Sequence, residues 1–275
     1  KTLCSSPWRG AGRVVSSALG TEADAGAERD LSFVRFQPGA SSRLVAVGGR
    51  RGQVHLLDWG ASAAGQMGGQ RIGELRMNAP LAGMAWAGET EHRLLTLSTE
   101  GRIHVWDLRS RSCPVTAYDT GLFGAKGLEV TMPHSMVPPY WAIGSSNGIV
   151  NMYGGQSTDS ATTSTQLEEL LAAPTSASVM DDVRLTARKS LGNLTTATTS
   201  MRFSHDAQLL ALASRNKKDA LRIVHVPSLQ AYSNWPTSGT PLGHVTSVDF
   251  SSHSEYLAIG NSRGRVLLYS LRSYL

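Results

Sequence analysis

The sequence predicts an all-β fold assembled from repeats of one small sheet. A short phrase recurs five times: a strand of small apolar residues, a tight turn, then an alternating strand. The copies are RLVAVGGRRGQVHLLD from Arg43, RLLTLSTEGRIHVWD from Arg93, YWAIGSSNGIVNMYG from Tyr140, LLALASRNKKDALRIVHV from Leu209 and YLAIGNSRGRVLLYSL from Tyr256. Their turn slots, Gly52, Gly101, Gly148, Asp219 and Gly264, are 49, 47, 71 and 45 residues apart. Three of those steps lie near the roughly 40–45 residues of a WD repeat, and the long one carries an insertion. No strong 3.6-residue periodicity competes with this pattern. At that period the units read as blades of a WD-repeat β-propeller, about five of them in this chain and part of a larger ring of about seven.

The elements follow in order. Residues 1–30 read as an outer strand and connector from a preceding blade, so the chain starts partway round the ring. The first blade covers 31–78, with a loose Gly-rich connector at 61–70. In the second, 79–120, LAGMAWAG from Leu81 is the inner strand and HRLLTLS from His92 the next. RIHVWDLR from Arg102 follows the turn, and CPVTAYD from Cys113 is the outer strand. The third blade covers 121–192 and contains an insertion at 154–182. That segment is rich in Ser, Thr and Ala, reads as a surface loop, and includes a possible two-turn helix at 166–173. The fourth blade is 193–236. The fifth, 237–275, shows only three strands, LGHVTSVDFS, EYLAIGN and RVLLYSL. Glycine at the turn slots supplies the backbone freedom that tight hairpins need.

Composition narrows the functional classes. Hydrophobic residues make up 41% and charged residues 17%, which suffices for a core and argues against global disorder. No apolar run of 18 residues exists, so no membrane span is expected. The two cysteines, Cys4 and Cys113, match no metal or redox spacing. The net charge is +5 and the pI about 9.4, a mild bias toward polyanionic partners.

No catalytic constellation emerges. The eight histidines are scattered, and His55 and His104 occupy equivalent repeat positions. No H-E-x-x-H, G-x-S-x-G or phosphate-loop motif occurs. Gly10-Ala11-Gly12 lacks the rest of a dinucleotide fingerprint, and Glu168-Glu169 reads as a solvated acidic loop. No enzyme activity, cofactor, metal or small-molecule substrate is expected. Ser98, Gly101, Trp106, Asp107, Gly243 and His244 read as structural WD-repeat residues. Ser98 and Trp106 are two of the four members of the hydrogen-bonded set that such blades use, and no blade holds all four. Incomplete sets leave stability to apolar packing.

Charge at the turns is the more informative chemistry. Arg50, Arg51, Arg102, Lys217, Lys218, Arg263 and Arg265 fall at or beside the same hairpin of successive repeats. Repetition places those hairpins on one rim, which would face RNA phosphates or an acidic protein segment. Solvated hairpins also tolerate Lys and Arg with no partner, and the sequence does not choose between the two. No aromatic RNA-reading motif is present.

A narrower signal lies in GHVTSVDFSSHSEYLAIGNSRGRVLLYSLRSY from Gly243, ALRIVHVPSLQAYSNWP from Ala220 and NLTTATTSMRF from Asn193, with GRIHVWDLRSRSC and SSNGIVNMY in matching order. From about Leu31 to Leu275 the chain resembles the WD-repeat family of the U-three small nucleolar RNA-associated proteins, in the group numbered eighteen. The resemblance implies a non-catalytic nucleolar scaffold of the small-subunit processome that supports small-subunit rRNA processing. Implied partners are other WD-repeat processome proteins and pre-ribosomal RNA or small nucleolar RNA. The insertion after Tyr153 is longer than the family pattern. The alternative reading is a generic WD-repeat adaptor that takes a peptide or tail in a central channel. A propeller hydrolase would need convergent acids, histidines or metal ligands that the sequence does not show.

Overall fold

A computed structural model describes residues 31–39, 43–60, 70–87, 93–131, 140–154, 181–237 and 239–271. The expected outer strand within 1–30, the 61–69 connector, Cys4, His92, His134 and residues 155–180 of the insertion lie outside the described residues. The chain divides into two compact units, Lys1–Leu81 and Ala82–Leu275. The fold is all-β and of the propeller class, its blades being five small sheets, and no helix occurs among the described residues.

The first unit holds sheet 1, a meander of β1 (Leu31–Phe36), β2 (Leu44–Gly49), β3 (Gln53–Asp58) and β4 (Gln70–Arg76). In the second unit, sheet 2 contains β5 (Leu81–Trp86), β6 (Arg93–Ser98), β7 (Arg102–Asp107) and β8 (Ser112–Asp119). Sheet 3 contains β9 (Ala125–Val130), β10 (Tyr140–Ser145) and β11 (Val150–Gly154). The chain then returns as β12 (Asp181–Leu185) and β13 (Lys189–Leu191). Sheet 4 is β14 (Ser200–Phe203), β15 (Leu209–Ala213), β16 (Leu221–His225) and β17 (Gln230–Ala231). Sheet 5 is β18 (Val245–Phe250), β19 (Tyr256–Asn261) and β20 (Val266–Ser270). Among the described residues the last sheet has three strands, the three that its sequence shows.

Strand β12 departs from the simple four-strand pattern. It pairs in parallel with β8, Asp181 opposite Val115 through Leu185 opposite Asp119, as a fifth strand of sheet 2. Sheet 3 is completed only afterwards, by β13 against β11. Parallel pairing needs a long crossover, and the insertion supplies the length. Residues 181 and 182, read from sequence as insertion, and Gly154 therefore belong to strands. Leu185 is buried and anchors this return in the core.

Packing explains why the strands read as they do. A sheet covered on both faces needs near-continuous apolar residues rather than alternation. LLALA of β15 and LAGMAW of β5 are buried at every position. In the second unit, one core cluster joins sheets 2 and 3, another sheets 3 and 4, and a third sheets 4 and 5. Each fully buried Leu, Ile or Val contributes about 1.5–3 kcal/mol. The expected turn slots all have positive φ: Gly52, Gly101, Gly148, Asp219 and Gly264.

Candidate nucleic-acid interface

The hairpins of sheets 4 and 5 are held together by the Gly243–His244 pair. The β15–β16 turn carries Asp219, whose Oδ1 accepts from Gly243 N at 2.7 Å. Asp219 N donates back to Gly243 O at 2.8 Å. His244 Nδ1 donates to Arg215 O at 3.0 Å, while His244 O accepts from Ser262 N at 2.9 Å. One short connection thus ties the β15–β16 turn to the β19–β20 turn. Within the second turn, Asn261 Oδ1 accepts from the backbone of Arg263 and Arg265 at 3.0 and 3.1 Å. Asn261 Nδ2 fastens that turn to Leu242 O at 3.2 Å. The geometry fixes the backbone and leaves the long basic side chains in solvent.

Five exposed cations stand on these two turns: Arg215, Lys217, Lys218, Arg263 and Arg265. The opposing carboxylate of the turns, Asp219, lies 3.9 Å from Lys218 Nζ. An exposed pair of that length contributes little and leaves the lysine available. Lys217 Nζ donates to Thr195 Oγ1 at 3.3 Å. Arg215 was missed by the sequence reading, although it sits two residues before Lys217 in the same turn.

The other predicted cations lie elsewhere. Arg50 and Arg51 are exposed on the β2–β3 turn of the first unit, where Arg50 Nε donates to Ser32 Oγ at 3.2 Å. Arg102 is paired within the second unit, its Nη1 lying 3.0 and 3.2 Å from the two oxygens of Asp182. The Thr116 hydroxyl donates to the same carboxylate. These contacts, Thr116 first and Arg102 next, hold the Asp182 carboxyl below the usual range. Strand β12 thereby covers part of the charge that sequence placed on the rim. Sheet 2 also carries Arg109 and Arg111 at the β7–β8 turn, the far end of its strands. Within the second unit, the hairpin cations concentrate on sheets 4 and 5.

The WD-type residues of sheet 2 make local hydrogen bonds within their own sheet. Trp106 Nε1 donates to Thr96 Oγ1 at 2.8 Å, a partner the sequence reading did not choose. Ser98 Oγ instead accepts from Arg102 N at 3.1 Å, and Asp107 Oδ1 accepts from Arg109 N at 2.8 Å. His104 stacks on Trp106 with centroids 6.3 Å apart, and burial, reinforced by Arg102, lowers its pKa. No group of three or more His, Cys, Asp or Glu poised for a metal occurs among the described residues.

Cys113 is poorly suited to thiolate chemistry. Burial pushes its thiol up to about 11. At pH 8 its thiolate fraction should be roughly 100-fold below that of an unperturbed cysteine, rising as pH approaches 11. Iodoacetamide labelling read by peptide mass spectrometry is expected to be correspondingly slow at Cys113. Rapid labelling at pH 8 would contradict that burial.

Comparison with known proteins adds to the geometry. No family model matches the chain. The U3 small nucleolar RNA-associated protein 18 homolog of Arabidopsis thaliana is 30% identical over 247 residues, 90% of this chain and 39% of that protein. The probable U3 small nucleolar RNA-associated protein 18 of Schizosaccharomyces pombe is 33% identical over 246 residues, 88% of this chain and 40% of that protein. U3 small nucleolar RNA-associated protein 18 of Saccharomyces cerevisiae is 44% identical over 133 residues, 48% of this chain and 19% of that protein. The chain is related to the U3 small nucleolar RNA-associated protein 18 family. It spans about two fifths of the length of the first two of these protein 18 relatives.

Proposed function

We propose that this chain is the repeat portion of a non-catalytic nucleolar scaffold that associates with U3 small nucleolar RNA or pre-ribosomal RNA and supports small-subunit rRNA processing. Other WD-repeat proteins of the small-subunit processome are its proposed protein partners. The observation that carries the RNA contact is the pair of stapled turns bearing Arg215, Lys217, Lys218, Arg263 and Arg265. Fixed backbone with exposed cations suits phosphate contact, which positions RNA without reading its bases. The names of the relatives support the same class of partner.

The test is the double variant Lys217→Glu, Lys218→Glu, assayed with a U3 small nucleolar RNA transcript at several salt concentrations. Losing two phosphate contacts should reduce the slope of log affinity against log salt by about 2 and weaken binding roughly tenfold at low salt. Unchanged affinity and slope would reduce these turns to a solvated surface. Co-purification from nucleolar extract with and without ribonuclease then separates RNA contacts from protein contacts.

A further inference from the structure

A second cluster lies at the ends of sheets 4 and 5 opposite the basic turns. Strands β9, β14 and β18 run side by side as the first strands of sheets 3, 4 and 5. Register makes three charged residues equivalent: Glu129 faces Ala142, Arg202 faces Ala211 and Asp249 faces Ala258. Each follows a core residue, Leu128, Met201 or Val248, so strand alternation turns it away from that core. Arg202 bridges its neighbours, with Nη1 3.3 Å from Glu129 Oε1 and Nε 3.5 Å from Asp249 Oδ1.

These residues line a cavity of about 280 Å³ whose wall includes Phe203, Phe250 and Ser251. Its end of sheet 4 is marked by Phe203 opposite Leu210, whereas the basic turn follows Ala213 at the other end. The cavity is therefore separate from the cationic hairpins by the length of a strand. Two carboxylates and one guanidinium meet there, and Asp249 supplies the accessible carboxylate oxygen. Its side chain is 69% exposed, and Oδ1 already accepts from Phe250 N at 3.0 Å. Oδ2 has no hydrogen-bond partner among the described residues. The volume suits one side chain better than a drug-sized ligand, which usually takes about 300–1,000 Å³. An aromatic wall beside a carboxylate favours a planar cation.

We propose that this cavity receives one cationic side chain, arginine in preference to lysine, from a peptide segment of a partner protein. The inference does not depend on RNA contact by the hairpins. The test uses the full chain and three blocked probes, Gly-Ser-Arg-Ser-Gly, Gly-Ser-Lys-Ser-Gly and Gly-Ser-Glu-Ser-Gly, with binding followed by calorimetry or by chemical shifts. The arginine probe should bind, the lysine probe more weakly, and the glutamate probe not at all. Asp249→Asn preserves shape and should weaken the arginine probe about tenfold. Lys217→Glu with Lys218→Glu should leave it unchanged. Equal binding of the arginine and glutamate probes, no arginine binding, or an indifferent Asp249→Asn would overturn the proposal. So would displacement of the arginine probe by an oligouridylate that binds with equal strength to Asp249→Asn.

Discussion

Replacing Trp141 with alanine is expected to destabilise the second unit by about 3–5 kcal/mol, the range for removing a buried tryptophan. Trp141 is 1% exposed and belongs to the cluster joining sheets 2 and 3. Its ring stacks on Tyr153 with centroids 4.3 Å apart. Tyr153 is itself fixed, because its hydroxyl donates to Asp119 Oδ2, which also accepts from Asn151 Nδ2 at 2.6 Å. A polar partner on sheet 2 thus locks one wall of the vacated space and limits collapse. The phenolic proton is held firmly, burial and then the Asp119 carboxylate raising the Tyr153 pKa. Trp141→Phe should behave differently. The indole Nε1 is buried without a hydrogen-bond partner among the described residues, so the smaller ring relieves an unsatisfied donor while losing some packing. Its cost should stay below about 1.5 kcal/mol, as for volume-near apolar swaps. Urea unfolding followed by circular dichroism checks both. A loss under 1 kcal/mol in Trp141→Ala would mean that the ring does not join the two sheets.

Local pattern made much of this architecture legible. Small apolar strands, the five turn slots and the three-strand final sheet all follow from short-range alternation and turn chemistry. The parallel pairing of β12 with β8 left no such trace. DDVRL resembles any short strand, and only long-range pairing decides its neighbour. The partner of Trp106 was ambiguous for a related reason. Thr96 and Ser98 are two residues apart and so share one face of β6. Register sets Trp106 opposite Leu94, which brings its indole to Thr96 and leaves Ser98 for the turn.

The candidate sites divide along the same line. Basic turns were visible because Lys217-Lys218 and Arg263-Gly264-Arg265 are contiguous in sequence. The link that positions them was not, since Asp219 and Gly243 are separated by an entire strand and loop. Glu129, Arg202 and Asp249 carry different charges in three repeats, so repeat alignment alone gave no reason to group them. Pairing against equivalent alanines is what brings them together.

Gly148→Ala should cost more than Gly264→Ala, and the comparison isolates backbone collision from backbone conformation. Both glycines have positive φ, +85° and +72°. An alanine in that region costs about 1–2 kcal/mol by itself. At Gly264 nothing among the described residues lies within 4 Å of the added methyl group, so conformational cost is the whole effect. At Gly148 the methyl carbon would stand 2.6 Å from both Leu194 O and Thr196 O. Those are backbone atoms, and the segment is pinned nearby by Thr198 N donating to Ser145 O at 3.1 Å. Relief requires the 194–196 backbone to move, and the total should reach about 3 kcal/mol or more. In a domain of this size that lowers Tm by roughly 6–12 °C, against about 2–8 °C for Gly264→Ala. The displaced segment also contains Thr195, whose hydroxyl accepts from Lys217 Nζ. Gly148→Ala should therefore weaken RNA binding modestly through Lys217 even below its melting range, whereas any loss in Gly264→Ala acts through the Arg263–Arg265 turn and leaves Lys217 and its anchor in place. Calorimetry and the salt-dependent binding assay read the two consequences separately. Equal Tm losses in the two variants would show that the β10–β11 turn does not press on the 194–196 backbone.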